Sequence, residues 1–219
     1  MKIIVNKIRC NKCGEIIESK SEHDFKFCKC GAVAVDGGLE YLRRCGNRED
    51  WEELAEYGYR KMRRSKQLLL EDEAIEILNR NTSGTLAVLG DEDYPYAVPM
   101  SYVYADGKIY FHSAKSGHKI DAINRHKKVS FTVIDKDEIV PKKYTTYFRS
   151  VIAFGKAFFI EDVDEIKRIA TVLAMKYSSD FKEGIADEIE SSINAMAIIQ
   201  LDIEYMTAKE AIELVNMKK

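Results

Sequence analysis

Four cysteines within the first thirty residues, Cys10, Cys13, Cys28 and Cys30, constrain this chain more than any other feature. They form two tight turns, Cys10-Asn-Lys-Cys13-Gly14 and Cys28-Lys-Cys30-Gly31, with fourteen residues between them. A tetrahedral zinc ion needs four ligands, and two cysteine turns that face each other supply them. The glycine after each pair lets the backbone reverse and frees N–H groups to donate to the thiolates. The second pair is Cys-x-Cys and not Cys-x-x-Cys, a looser spacing from which both sulfurs still reach one ion. His23 could replace one cysteine as ligand, and the bland alternative is a set of reduced cysteines without metal. Cys45, the fifth, reads as a free thiol. A segment of roughly forty residues has too little core to fold alone, so metal binding would supply much of its folding free energy.

Five cysteines, four of them clustered, make a poor disulfide scaffold, and in a reducing compartment such clustering favours metal. The net charge of -2 gives no global field toward nucleic acid or anionic lipid. The opening MKIIVNKIRC lacks the apolar run of a signal peptide, and no stretch approaches a membrane span, so a cytoplasmic protein is expected. With 46% hydrophobic and 32% charged residues the chain has ample apolar material for a larger core beyond the cysteines. Composition changes at the basic run Arg60-Lys61-Met62-Arg63-Arg64-Ser65-Lys66, which reads as an exposed connection. The expected domains are therefore 1–60, the cysteine module closed by a helix over 49–59 (EDWEELAEYGY), and 61–219. Phe25, Phe27, Tyr41 and Trp51 are the expected core of the module, and it has few aromatics to stack on bases, so nucleic acid is not an expected partner.

The second part opens with a short amphipathic helix over 71–80, its apolar face made by Ala74, Ile75 and Leu78. Strands are expected at 85–90, 96–105 and 108–114, the last two joined by Asp106-Gly107, a two-residue turn that needs positive φ at both positions. A helix over 117–126, strands at 129–135 and 150–162 and a long helix over 164–177 follow. The stripe of that long helix is Ile166, Ile169, Ala170, Leu173 and Ala174. A strand at 197–205 and a closing helix from Thr207 end the pattern. Antiparallel hairpins with a few helices define a mainly β fold, a β-barrel with helices, preceded by the small cysteine module.

The chemistry-bearing stretch is Ile109-Tyr-Phe-His-Ser-Ala-Lys-Ser-Gly-His-Lys119. A strand ends at Ala114 and a helix begins near Gly117; free N–H groups at that start, with Ser113, Ser116, Lys115 and Lys119, suit a phosphate. An ordinary solvated helix cap is the alternative. Pro99 lies inside the strand YAVPMSYVY, where it cannot donate and is expected to break the ladder. His112, near a strand end, is the catalytic candidate, able to pass a proton; the alternative is a histidine satisfied within the barrel wall. His126 reads as a solvated helix terminus. The aromatics Tyr144, Tyr147, Phe148, Phe154, Phe158 and Phe159 could line a pocket across a dimer, although packing explains most of them.

These elements in this order resemble the pyridoxamine-5'-phosphate-oxidase-like, FMN-binding split β-barrel proteins, and more closely their nitroimidazole-resistance (Nim) branch. The resemblance rests on Tyr96-Ala-Val98-Pro99-Met100-Ser101-Tyr102-Val103-Tyr104, Asp106-Gly107, Ile109 to Ala114, Gly117-His118-Lys119 and Ser150 to Ala157, and covers roughly residues 62–210. The stretches around His23 and Asp36-Gly37-Gly38 resemble small zinc-ribbon-like domains of unknown function. The barrel resemblance implies a homodimer with FMN at the interface. Val98, Pro99, Met100 and Ser101 would then lie along the flavin ring through backbone groups, His112, Ser113 and Ala114 would continue that wall, and Ser116, Gly117, His118 and Lys119 would hold the phosphate. The zinc would be a structural clip, since all four ligands precede the barrel pattern.

Three functions follow from these readings. The first is an FMN-dependent oxidoreductase acting on a small molecule, able to reduce nitroaromatic compounds; no G-x-G-x-x-G fingerprint appears, so the electron donor enters the open flavin face or is another protein. The second, oxidation of pyridoxamine phosphate, lacks support, because no arginine, histidine or proline follows Arg168 to grip a second phosphate. The third is a non-enzymatic flavin- or haem-binding sensor whose zinc-ribbon module mediates contacts.

Overall fold

The computed structural model describes residues 2–59 and 62–218, which form two compact units, Met1–Arg63 and Arg64–Lys219. Among the described residues the first unit holds eight short strands. β1 (Lys2–Val5) pairs with β8 (Glu56–Gly58), and β2 (Lys7–Cys10) runs between β3 (Ile16–Glu18) and β7 (Trp51–Glu53). A third sheet orders β4 (Lys26–Phe27), β5 (Ala34–Asp36) and β6 (Arg43–Cys45). Its core is Ile8, Ile17, Val33, Val35 and Trp51 together with Cys10 and Cys28.

Two expectations for this unit fail. The helix over 49–59 is a single 3-10 turn, Arg48–Asp50, followed by the extended strands β7 and β8. Pairing of Trp51 with Cys10 and of Tyr57 with Ile3 satisfies the backbone while Trp51 fills the core, and this outweighs a weak helical propensity. Of the four aromatics assigned to the core only Trp51 is buried; Phe25, Phe27 and Tyr41 are exposed at the surface. β4 is two residues long with both side chains exposed, and short aliphatics with the cysteines already occupy the centre.

The second unit begins with α1 (Glu71–Arg80), whose buried face is Ala74, Ile77 and Leu78, with Ile75 only half-buried. Its strands are β9 (Ser83–Leu89), β10 (Pro95–Ser101), β11 (Val103–Ala105), β12 (Lys108–Ala114), β13 (Lys128–Val140), β14 (Thr145–Phe159) and β15 (Met196–Glu210). They form one antiparallel sheet in the order β10-β9-β13-β14-β15-β12-β11. The two edge strands, β10 and β11, are consecutive in the chain and separated by Tyr102 alone. A seven-stranded sheet whose opposite edges are one residue apart has to curl on itself, so this topology demands a barrel split at Tyr102. Asp106 and Gly107, at φ 53° and 75°, form the tight turn from β11 to β12 as the sequence requires.

The barrel interior is packed by Leu86, Val88, Tyr102, Ile109, Phe111, Phe131, Val133 and Leu201, all buried. Phe131 meets Tyr102 and Phe111 edge-on, with ring centres 4.8 and 5.0 Å away. α1 and α2 (His118–Arg125) pack on this core, whereas α3 (Val163–Ser178) covers the outer face of β11, β12 and β15 through Ile166, Ile169 and Leu173. A further helix, α4 (Ile185–Ser192), which the sequence pattern did not reveal, packs on α3 through Ile185 and Ile189. No helix among the described residues is long and apolar enough to cross a membrane.

The closing helix expected from Thr207 is also displaced. Thr207 pairs with Ile152 and Ala208 with Val151, so β15 continues to Glu210 and α5 spans Ile212–Met217. β13 and β14 are likewise longer than expected, projecting as a ribbon with exposed Ile134, Ile139 and Tyr144.

Candidate functional site

The sulfur atoms of Cys10, Cys13, Cys28 and Cys30 all lie within 4.8 Å of one another. Cys30 Sγ is 3.7 Å from Cys10 Sγ and 3.4 Å from Cys28 Sγ. A tetrahedral ion with Zn–S bonds of about 2.3 Å holds its sulfurs about 3.8 Å apart, so the four fit one such ion. The glycine N–H groups close the two turns, Gly14 donating to Cys10 O and Gly31 to Cys28 O, both at 2.8 Å. It is the amides beyond them, at Glu15, Ala32 and Val33, that serve the sulfurs.

The electrostatics are those of a site that a cation would stabilise. Burial opposes ionisation of Cys28, yet the Val33 amide and the Cys30 and Cys10 thiols outweigh it and draw its pKa down to about 6. The Ala32 amide favours a Cys30 thiolate, but Cys28 and Cys13 push that group up to about 12. Four clustered sulfurs cannot all become thiolates unless a positive ion lies between them. His23 is exposed beside Glu22 and takes no part in the cluster, and neither does Cys45.

In the barrel, the residues expected to form one wall divide by strand parity. Along β10, Ala97, Pro99 and Ser101 are exposed while Tyr96, Val98 and Met100 are half-buried, Tyr96 and Met100 against the core. Along β12, His112 and Ala114 are exposed and Ser113 is buried, its hydroxyl without a partner among the described residues. The side chains offered outward are thus Pro99, Ser101, His112 and Ala114. The imidazole of His112 is exposed and has no hydrogen-bond partner among the described residues.

Pro99 does not break the ladder. Register runs unbroken from Pro95↔Leu89 to Ser101↔Ser83, and Gly90 donates to Tyr94 O at 2.8 Å at the start of that pairing. Counting from that bond, Ala97, Pro99 and Ser101 turn their backbone groups to the open edge, where a missing N–H costs nothing. Backbone contacts to a flat ligand are therefore available from Ala97 and Pro99, while those of Val98 and Met100 are used within the sheet. Ala97 went unrecognised in the sequence, because the parity of an edge strand shows only once its partner is known.

The candidate phosphate cradle lies at the start of α2. Gly117, at φ 121° and ψ 170°, is in a region that only glycine occupies readily, and the space where a Cβ would stand is empty. The first N–H groups of α2 lack intrahelical acceptors. Lys115 and Lys119 have no ion pair among the described residues, and Ser116 is exposed. The His118 ring is engaged elsewhere: it stacks on Tyr96 with ring centres 4.2 Å apart, and its Nε2 accepts from the Asp91 N–H at 3.2 Å. His118 can thus offer its backbone N–H to a phosphate while its side chain ties α2 to the β9–β10 turn. His126 is exposed at the end of α2, as its sequence suggested.

Residues 71–210 match the model of the pyridoxamine 5'-phosphate oxidase family, and residues 2–46 match that of a domain of unknown function. No curated protein sequence matches the chain. Among solved structures, a conserved hypothetical protein from Mycobacterium tuberculosis is 20% identical with a TM-score of 0.61, over 68% of this chain and 90% of the other. A protein described as a candidate 5-nitroimidazole antibiotic resistance protein from Bacteroides thetaiotaomicron is 21% identical with a TM-score of 0.54, over 65% and 86%. A flavocytochrome from Azotobacter vinelandii is 18% identical with a TM-score of 0.57, over 69% and 72%. At these identities the likeness is one of fold. The family model covers more than half of the residues, and the chain belongs to the pyridoxamine 5'-phosphate oxidase family.

Proposed function

We propose that the barrel binds FMN along the open edge of β10, as a homodimer with the flavin at the interface, and acts as an oxidoreductase on small molecules, nitroaromatic compounds included. The observation that carries this reading is the joint outward presentation of Pro99, Ser101, His112 and Ala114 next to a glycine cradle flanked by Lys115 and Lys119, which have no ion pair among the described residues. Membership of the family and the flavin-binding descriptions among its structural neighbours support the choice of cofactor.

The flavin, when bound, supplies the electron transfer; the protein supplies position and charge. Ala97 N–H and the Pro99 carbonyl meet the polar rim of the ring. The α2 N–H groups and Lys119 hold the phosphate, with Ser116 as a further donor. His112, whose imidazole has no partner among the described residues, delivers or accepts a proton at its imidazole nitrogen. The exposed Ile134, Ile139 and Tyr144 of the β13–β14 ribbon are apolar surface that a partner subunit would cover. In the first unit the four cysteines hold a zinc ion whose role is structural, since every ligand is a cysteine and no position is left open for substrate.

The test is the absorbance spectrum of the purified chain together with metal analysis. A flavin band near about 450 nm, FMN released on denaturation and about one zinc per chain are expected. NAD(P)H bleaching followed by reoxidation with a nitro compound would establish turnover. A colourless protein that FMN cannot reconstitute would sink the flavin assignment, and a Soret band would replace it with haem.

A further inference from the structure

A cavity of about 460 Å³ lies between the end of β12 and the α3–α4 pair, within the range of about 300–1,000 Å³ typical of small-molecule sites. Its apolar surface comes from Leu173 and Ala174 of α3, Ile189 of α4 and Met196 of β15. Ser101, His112 and Ala114, the outward side chains of the candidate flavin wall, close its barrel side. The cavity therefore adjoins that wall and extends away from it, beneath helices that the phosphate cradle does not involve.

Its charge is one-sided. No lysine or arginine lines it, and the single carboxylate is Glu188 of α4, which has no ion-pair partner among the described residues. The nearby cations of α3 are committed elsewhere. Lys167 pairs with Glu190 at 2.6 Å, and Lys176 sits 4.2 Å over the Tyr102 ring and 3.3 Å from the Leu78 carbonyl. The Tyr177 hydroxyl at the cavity wall is bonded to Tyr102. Glu188 is exposed, so an anionic ligand would meet a solvent-screened carboxylate with no compensating cation, whereas an ammonium group would gain a modest surface ion pair beside the apolar walls.

We propose that this cavity is a substrate pocket for uncharged or cationic, largely apolar molecules of one or two rings, and that it rejects carboxylates and phosphates. The apolar body lies on Leu173, Ala174 and Ile189, a cationic group faces Glu188, and the end near His112 faces the flavin wall. Its role as the site of the electron acceptor rests on the flavin reading above; its charge preference does not.

The test is calorimetric titration of the full chain at neutral pH with three matched probes: 1-naphthylmethylamine, 1-naphthalenemethanol and 1-naphthoate. The amine is expected to bind at one site per chain, with the naphthoate about threefold or more weaker. Glu188→Gln should erase the advantage of the amine over the alcohol while leaving alcohol affinity within about threefold. Ala195→Trp, in an exposed turn that lines the cavity, should weaken all three by about tenfold or more. Naphthoate binding as tightly as the amine, an unchanged amine preference in Glu188→Gln, or alcohol binding indifferent to Ala195→Trp would each overturn the proposal. So would competitive displacement of the amine by FMN, which would make the cavity the seat of the flavin itself. FMN titration of the same samples separates the two readings: FMN binding without amine selectivity overturns the pocket and keeps the flavin, whereas selective amine binding without FMN supports the pocket and removes the flavin.

Discussion

The Tyr177 hydroxyl lies 2.8 Å from the amide nitrogen of Tyr102 and 2.7 Å from that residue's carbonyl oxygen. Tyr102 is the residue at which the chain passes from one edge of the sheet to the other, so no neighbouring strand serves its backbone. A side chain from the end of α3 takes that role, and the same hydroxyl is 2.5 Å from Thr82 O. Burial raises the Tyr177 pKa, so the hydroxyl keeps its proton and remains able to donate. The split in the barrel is thus closed by one phenol, at the rim of the proposed substrate pocket.

Removing that phenol tests the closure. Tyr177→Phe keeps the ring and strands the Tyr102 amide, with an expected loss of about 1–3 kcal/mol in stability. Urea unfolding reads the loss, and amide exchange at Tyr102 should accelerate. Unchanged stability with unchanged protection would mean that water serves Tyr102 equally well.

A second set of contacts contributes to stability against acid. Asp135, almost fully buried, accepts from Arg80 Nε and Nη2 at 2.6 Å each, from Asn81 at 2.8 Å and from Arg149 at 3.2 Å. Burial pushes its pKa up, but the Arg80 and Asn81 bonds prevail and hold it below the ordinary value. The unfolded carboxyl titrates near about 3.9, so this stabilisation is complete above that pH and is lost as pH falls through the lower folded value. Asp135→Asn should lower the melting temperature at neutral pH and flatten its fall below about pH 4. An acid limb identical to that of the wild type would assign acid unfolding to other groups.

Metal removal has a built-in reporter. The single tryptophan, Trp51, is buried in the same cluster as Cys10 and Cys28. A strong chelator should shift its fluorescence to the red as the first unit loses its folding free energy, and Cys13→Ser should do the same without chelator. The barrel core shares no cysteine with that cluster, so its cooperative unfolding should persist. A chelator that leaves Trp51 emission unchanged would remove the structural role of the metal.

For the phosphate cradle, Lys119→Glu should weaken FMN binding by at least about tenfold. Gly117→Ala meets no neighbour, so any penalty comes from backbone strain, about 1–3 kcal/mol for a residue forced into that region. Fluorescence quenching of FMN on titration measures both. Wild-type affinity in Lys119→Glu would move the phosphate away from α2.

His112→Asn separates chemistry from binding. FMN content should be retained, while turnover of a nitro acceptor falls by about 10²–10⁴-fold if the imidazole carries the proton. Equal turnover would leave His112 as a wall residue.

Much of this protein was legible in its sequence wherever a local rule suffices. The cysteine spacing predicted the sulfur cluster. Asp106-Gly107 predicted the hairpin because both turn positions need positive φ, and the pattern of 108–114 marked out β12 to the residue. The segment 49–59 was not legible, because its charged, weakly apolar pattern suits a helix until Trp51 finds Cys10 as a strand partner. The exposure of Phe25 and Phe27 was hidden for the same reason: which aromatics are buried depends on what already fills the centre.

The sequence by itself determined which four cysteines come together, the order of most elements in the barrel and the stretch that carries the candidate cofactor chemistry. These follow from covalent spacing and backbone preference, which act over a few residues. Only the tertiary structure decided which side of each strand faces outward, and so separated Pro99, Ser101, His112 and Ala114 from Val98, Met100 and Ser113. It also decided that Pro99 lies harmlessly on an open edge, that the His118 ring is engaged by Tyr96 and Asp91, and that Tyr177 closes the split at Tyr102. Strand pairing and packing join residues far apart in the chain, such as Lys108 with Asp202 and Leu69 with Ala208, and Lys218 reaches Glu73 across 145 positions, distances over which local preference carries no information.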